Sequence, residues 1–195
     1  MGVHQAVVWA TDTAINLWQI SQTLQREKPR LELKWMPPDP GWVKVNVDAS
    51  FQKDDSVGAT ASIIRDHHGA FRVAQARWYV RGLDACMMEA LACRDGLILA
   101  KQHGEQKVLL ETDCLELVNL WKKQHLQRSI VNPVLKEIED LSLAFHEFII
   151  SFGNRIYNKV AHVLAKQVSS THRLEVWHVT PACVSDLVMF EASAG

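Results

Sequence analysis

Three carboxylates carry the chemistry this chain offers: Asp48, Glu89 and Asp113. Asp48 ends the run Val43-Lys44-Val45-Asn46-Val47-Asp48, whose alternation has the period of a half-buried β-strand. Glu89 lies in an apolar helical stretch. Its neighbours at helical spacing, Ala85, Cys86, Ala92, Cys93 and Gly96, are all small. Asp113 closes a second strand, Gln106 to Thr112. Three carboxylates in one pocket cannot all stay ionised without cations. Oxygen donors suit hard ions such as Mg²⁺ or Mn²⁺. Two such ions, about 4 Å apart, activate water and stabilise the leaving oxygen of a phosphodiester displacement. Magnesium takes few carboxylates plus substrate phosphate, so such a site is complete only with nucleic acid bound. Spacing alone is a weak pointer, because acidic residues at strand ends are common in α/β domains.

The elements that must position these groups follow in order. Three β-branched residues set against three polar ones argue against an edge position for the first strand. Val57 to Arg65 and Ala70 to Tyr79 form a hairpin around Asp66-His67-His68-Gly69, with Gly69 at the position that tolerates positive φ. Adjacent His67 and His68 point apart and have no third ligand near them, so they read as turn residues. Asp84 is the N-cap of a mostly buried helix that runs to about His103 and stops at Gly104. Strand, helix and strand make a βαβ unit, so Asp113 finishes level with Asp48 on a parallel strand. Helices are expected over Cys114 to about Gln124 and from Asn132-Pro133 to about His146, then a strand within Phe145 to Phe152. A closing helix, Ile156 to Ser169, carries a stripe at Ile156, Val160, Val163/Leu164 and Gln167. Asn158 and His162 share another face, one turn apart.

Composition sets the outer bounds. The 195 residues are 48% hydrophobic and 22% charged, as a globular core requires. The net charge is −1, so nucleic-acid affinity must come from a local patch. The cationic run Lys122 to Arg128 is one such patch; a solvated helix end is the plainer reading. Cys86, Cys93, Cys114 and Cys183 show no C-x-x-C spacing and read as reduced packing residues. The N-terminus lacks a basic, apolar leader, and no apolar run is long enough to cross a membrane. An intracellular location, cytoplasmic or nuclear and not secreted, is expected. Four segments are expected: a helical extension over 1–27 with its helix near Thr13 to Arg26, a proline-rich linker over 28–41, a domain over 42–169 and a tail over 170–195. Trp35 and Trp42 are expected to pin the linker. An apolar stretch near Val184 to Phe190 is expected to form a short packed helix.

Residues 42–169 resemble the ribonuclease H fold, and more closely the plant retroelement-derived ribonuclease H-like domains of reverse-transcriptase-associated type. WVKVNVDASF resembles the first-strand motif, GATASIIRDHHGAF the hairpin and MMEALACRDGLILA the helix carrying the acidic residue. LETDCLELV resembles the strand-to-helix aspartate motif, and GNRIYNKVAHVLAK the closing helix. The lead WMPPDPGWVKVNVD is similar to that of the plant group. The resemblance implies an α/β fold with a mixed five-stranded sheet flanked by helices. It implies Asp48, Glu89 and Asp113 as metal ligands for Mg²⁺ or Mn²⁺, two ions with substrate bound. It further implies hydrolysis of the RNA strand of an RNA–DNA hybrid. Asn158, Lys122, Lys123 and Arg128 are expected to contact nucleic acid. The pattern departs at its fourth acidic position, where His162 stands. A neutral imidazole ligates Mn²⁺ better than Mg²⁺. The flexible-loop histidine of the enzymes has no counterpart: Phe152 occupies that register and Arg155 follows. The alternative is a nucleic-acid-binding or interaction module that keeps the fold without the activity. A proofreading-type exonuclease would need an acidic residue where Ser50 stands.

Overall fold

The first strand, β1 (Val43–Gln52), lies inside a six-stranded sheet of order β5-β4-β1-β2-β3-β6. The other strands are β2 (Val57–Arg65), β3 (Phe71–Tyr79), β4 (Lys107–Thr112), β5 (Glu147–Phe152) and β6 (Leu174–Trp177). The helices are α1 (Ala85–Gln102), α2 (Leu115–Lys122), α3 (Asn132–Ser142), α4 (Lys159–Ala165) and α5 (Ser185–Ser193). This computed structural model describes residues 34–123 and 129–193, and the chain from Lys34 onward forms one compact unit. The helix expected over Thr13 to Arg26 and the cation Arg128 lie outside the described residues.

The sheet is mixed. β1 and β2 are antiparallel, as are β2 and β3, whose turn closes with Gly69 at φ +75°. β4 runs parallel to β1, with Val47 paired to Thr112, so Asp48 and Asp113 emerge level at the same end. β5 continues the parallel half and β6 adds an antiparallel edge beside β3. The expectation of five strands therefore becomes six. The sixth comes from the stretch read as a tail. Its four residues are too short for a periodic signal, and Leu174 and Val176 face out.

Helices cover both faces. Val43, Val45 and Val47 pack with Val108 and Leu110 beneath α1 and α3. Ala59, Ala61 and Ile63 pack with Val160, Leu164 and Val188 beneath α4 and α5. Fully burying one such Val, Leu or Ile contributes about 1.5–3 kcal/mol. Gly96 sets the height of α1 above β1: a Cβ there would stand 2.8 Å from Val47 Cγ1. That close approach brings Glu89, two turns earlier on α1, down toward the strand ends. Asp84 caps α1 as expected, accepting from the Met87 amide at 2.7 Å.

The polar side of β1 is not the solvated face that alternation predicts. Lys44, Asn46 and Asp48 are all buried. Trp35 folds over Lys44 and Asn46, donating through Nε1 to Asn46 Oδ1 at 2.9 Å, with the Arg65 guanidinium 3.7 Å from its ring centre. Arg65 Nη2 also donates to Asn46, and Arg65 pairs with Glu191 of α5. Lys44 Nζ and Asn46 Nδ2 both donate to Glu111, and Lys44 reaches the Met36 carbonyl at 2.6 Å. Two cations matched by two carboxylates make this burial possible.

Three helix ends also differ from expectation. α3 stops at Ser142, short of His146. The closing helix begins only at Lys159, after a 3₁₀ turn at Arg155–Tyr157, and ends at Ala165. Asn154 starts that turn by accepting from the Ile156 amide at 3.0 Å. Ile156 is consequently exposed; Val160, Ala161, Leu164, Ala165 and Val168 form the buried stripe.

Candidate metal centre

Asp48, Glu89 and Asp113 converge. Each offers an oxygen within 4.8 Å of those of the other two, the only such group of three acidic, histidine or cysteine ligands among the described residues. The parallel register of β1 and β4 brings the two aspartates level, and the close packing of α1 brings Glu89 down to them. Thr112 Oγ1 lies 3.4 Å from Glu89 Oε2, and the Ala49 amide also donates to Glu89.

His162 stands beside this cluster. Its Nδ1 lies 2.8 Å from Asp48 Oδ2. When Asp48 is ionised only the ring can donate, so Nδ1 carries the proton, and in the neutral ring Nε2 then keeps its lone pair. Asn158, one turn earlier, holds α4 against β1 by donating through Nδ2 to the Val47 carbonyl at 2.7 Å. Expected to contact nucleic acid, Asn158 is instead 3% exposed and engaged with the strand. A buried side chain that braces the next turn is placed to orient His162.

The electrostatics are those of a self-repelling acidic site. Burial, reinforced by Asp48 and then Asp113, pushes the Glu89 carboxyl up to about 9. Asp48 is pushed up to about 6, chiefly by burial; the His162 hydrogen bond opposes this and Asp113 adds to it. Asp113 is raised by burial and restrained by Arg155, whose Nε stands 4.0 Å from Asp113 Oδ2. A cation would supply the counter-charge, and an all-oxygen donor set is the chemistry of Mg²⁺ or Mn²⁺. These three residues fit such an ion.

The carboxylates Glu89 and Asp113 open into a pocket of about 420 Å³ whose wall also includes Cys86, Cys114, Phe152 and Arg155. Arg155 and His162 border an adjoining hollow with Ile156 and Lys159. Lys122 and Lys123 are exposed at the end of α2 and do not line either pocket. Three features were not assigned from sequence: Thr112 beside Glu89, Arg155 beside Asp113, and the contact between Cys86 and Cys114. In that contact ionisation of Cys114 is favoured at the expense of Cys86, because the thiols hydrogen-bond to one another. Arg155 was legible only as a basic residue after Gly153-Asn154, and a thiol pair far apart in sequence leaves no local signal.

A central mixed sheet with this carboxylate cluster at its parallel seam is the ribonuclease H fold. Three solved structures share it. The N-terminal RNase H domain of Rv2228c from Mycobacterium tuberculosis, solved as a fusion with maltose-binding protein, superposes with a TM-score of 0.59 at 14% identity, over 64% of this chain and 91% of that one. RNase H1 from the halophilic archaeon Halobacterium salinarum does so with 0.56 at 18% identity, over 65% and 96%. LC11-RNase H1, solved in complex with an RNA/DNA hybrid, gives 0.58 at 11% identity, over 65% and 95%. The reverse transcriptase-like family matches residues 46–168, and the chain belongs to it. No curated protein matches the chain in sequence.

Proposed function

We propose that the chain is a metal-dependent endonuclease that hydrolyses the RNA strand of RNA–DNA hybrids. The observation that carries this reading is the convergence of the Asp48, Glu89 and Asp113 oxygens within 4.8 Å of one another. Membership of the reverse transcriptase-like family supports it, as does the hybrid bound to the similarly folded LC11-RNase H1. Divalent ions held by the three carboxylates would supply an activated water and neutralise the leaving oxygen. The chain's own groups do the rest. Asp48, 3% exposed, is locked in one orientation by His162 Nδ1. Glu89 would hold such an ion in its ionised form, because only the carboxylate ligates. Arg155 is exposed beside Asp113 and can meet a substrate phosphate without rearranging the core. Lys122 and Lys123, exposed at the end of α2, would meet the phosphate backbone, with Arg128 following them in the sequence. Recognition would rest on phosphates, 2′-hydroxyls and groove shape.

A second reading is favoured by one observation. His162 occupies the fourth acidic position and spends its Nδ1 on Asp48, which lowers the negative charge available to a second ion. A hybrid-binding module without turnover fits that arrangement. A substrate panel separates the two: RNA–DNA hybrid, double-stranded RNA and double-stranded DNA, each offered with Mg²⁺ and with Mn²⁺. The endonuclease cuts only the RNA strand of the hybrid. Tight hybrid binding with every strand left intact under both ions supports the module.

A further inference from the structure

Cys86 and Cys114 are brought together from different parts of the chain. Cys86 lies in the first turn of α1, and Cys114 is the residue before α2. The two side chains pack against the same core cluster, and each perturbs the ionisation of the other. Both are partly exposed and both line the pocket that Glu89 and Asp113 open into, so a small oxidant reaches them. The other two cysteines differ from this pair: Cys93 is fully buried and Cys183 is exposed on the far segment before α5.

We infer that Cys86 and Cys114 form a redox modification site, a dithiol that closes to an intramolecular disulfide at the mouth of the acidic pocket. The co-reactant is a peroxide. One sulfur attacks a peroxide oxygen, the O–O bond breaks, and a sulfenic acid and one water result. The second thiol then displaces the sulfenic oxygen as a second water, forming the S–S bond. Two thiols are oxidised by two electrons, one peroxide is reduced, and both thiol protons leave in water. A dithiol reductant reverses the reaction. The placement gives the bond a consequence. Glu89 is one helical turn beyond Cys86, and Asp113 directly precedes Cys114. The disulfide therefore ties together the two chain segments that present these carboxylates.

The test uses the full chain in a Cys183→Ser background, which removes the exposed thiol. The protein is treated with hydrogen peroxide, alkylated, digested and mapped by mass spectrometry. A crosslinked peptide pair containing Cys86 and Cys114 is expected, lighter than the reduced pair by about two mass units. Two titratable thiols should disappear and then be recovered with dithiothreitol. Oxidation should also raise the melting temperature, because closing the intervening loop restricts the unfolded chain. Cys86→Ser and, separately, Cys114→Ser should each abolish the crosslink and the rise. Full alkylation of both thiols after peroxide treatment overturns the inference. So does a crosslink found only between two chains.

Discussion

His162 Nδ1 and Asp48 Oδ2 stand 2.8 Å apart, joining α4 to the end of β1. The ring gives the buried Asp48 carboxyl a donor and a fixed orientation.

Replacing that ring tests its role. His162→Asp restores a fourth carboxylate and should shift the ion preference from Mn²⁺ toward Mg²⁺. His162→Ala should reduce cleavage while leaving the melting temperature near that of the parent, since the ring is about one-third exposed. Activity assays with both ions check this. An alanine variant that cleaves as well as the parent makes His162 a bystander.

The acidic cluster should also write itself into the pH dependence of stability. Glu89 is raised from 4.5 to about 9 and Asp48 from 3.8 to about 6. The folded chain then binds more protons than the unfolded one across that interval, so stability falls as pH rises through it. Thermal melts of the metal-free protein should drop between pH 5 and 9, and Glu89→Gln should flatten the decline. Millimolar Mn²⁺ should raise the melting temperature most at the alkaline end, where ligation displaces fewer protons. A metal-free melting temperature that climbs across this range contradicts the placement of Glu89.

Beneath the sheet end lies a structural test independent of chemistry. Glu191→Ala leaves Arg65, fully buried, without its carboxylate partner. Breaking such a pair costs about 3–5 kcal/mol. Urea unfolding measures it, and a loss below about 1 kcal/mol, the worth of a surface pair, would show the interaction to be solvated.

The cationic run after α2 should act through salt. Replacing Lys122, Lys123 and Arg128 with Ala should weaken hybrid binding and reduce its logarithmic salt slope, by about one for each phosphate that is no longer neutralised. Binding titrations at several salt concentrations check this. An unchanged slope returns the run to an ordinary solvated helix end.

Much of this site was legible in the sequence, for identifiable reasons. Asp48 and Asp113 could be aligned because strand alternation and a buried crossover helix dictate parallel strands. Glu89 could be added because its small neighbours on α1 announce close packing, which Gly96 then provides. The inward turn of Asn158 was not legible, because only the broken start of α4 shows which face meets the sheet. The burial of Lys44 and Asn46 was hidden for a related reason. Their partners Arg65, Glu111 and Glu191 are distant in the chain, so local alternation registered a polar face without its cover. The sixth strand escaped because its pairing with β3 supplies the order that its own four residues do not encode.

The proposed ribonuclease activity stands on the three carboxylates and the ions they would hold. Single-turnover cleavage of an end-labelled RNA–DNA hybrid in Mn²⁺, comparing the parent with Asp48→Asn, is its sharpest test. Expected are cuts in the RNA strand by the parent and none after chelation. Asp48→Asn should lose at least about a hundredfold in rate, the effect of removing a group that stabilises the transition state by several kcal/mol. Equal cleavage by the two proteins, or no cleavage of a hybrid that the parent demonstrably binds, would overturn the proposal.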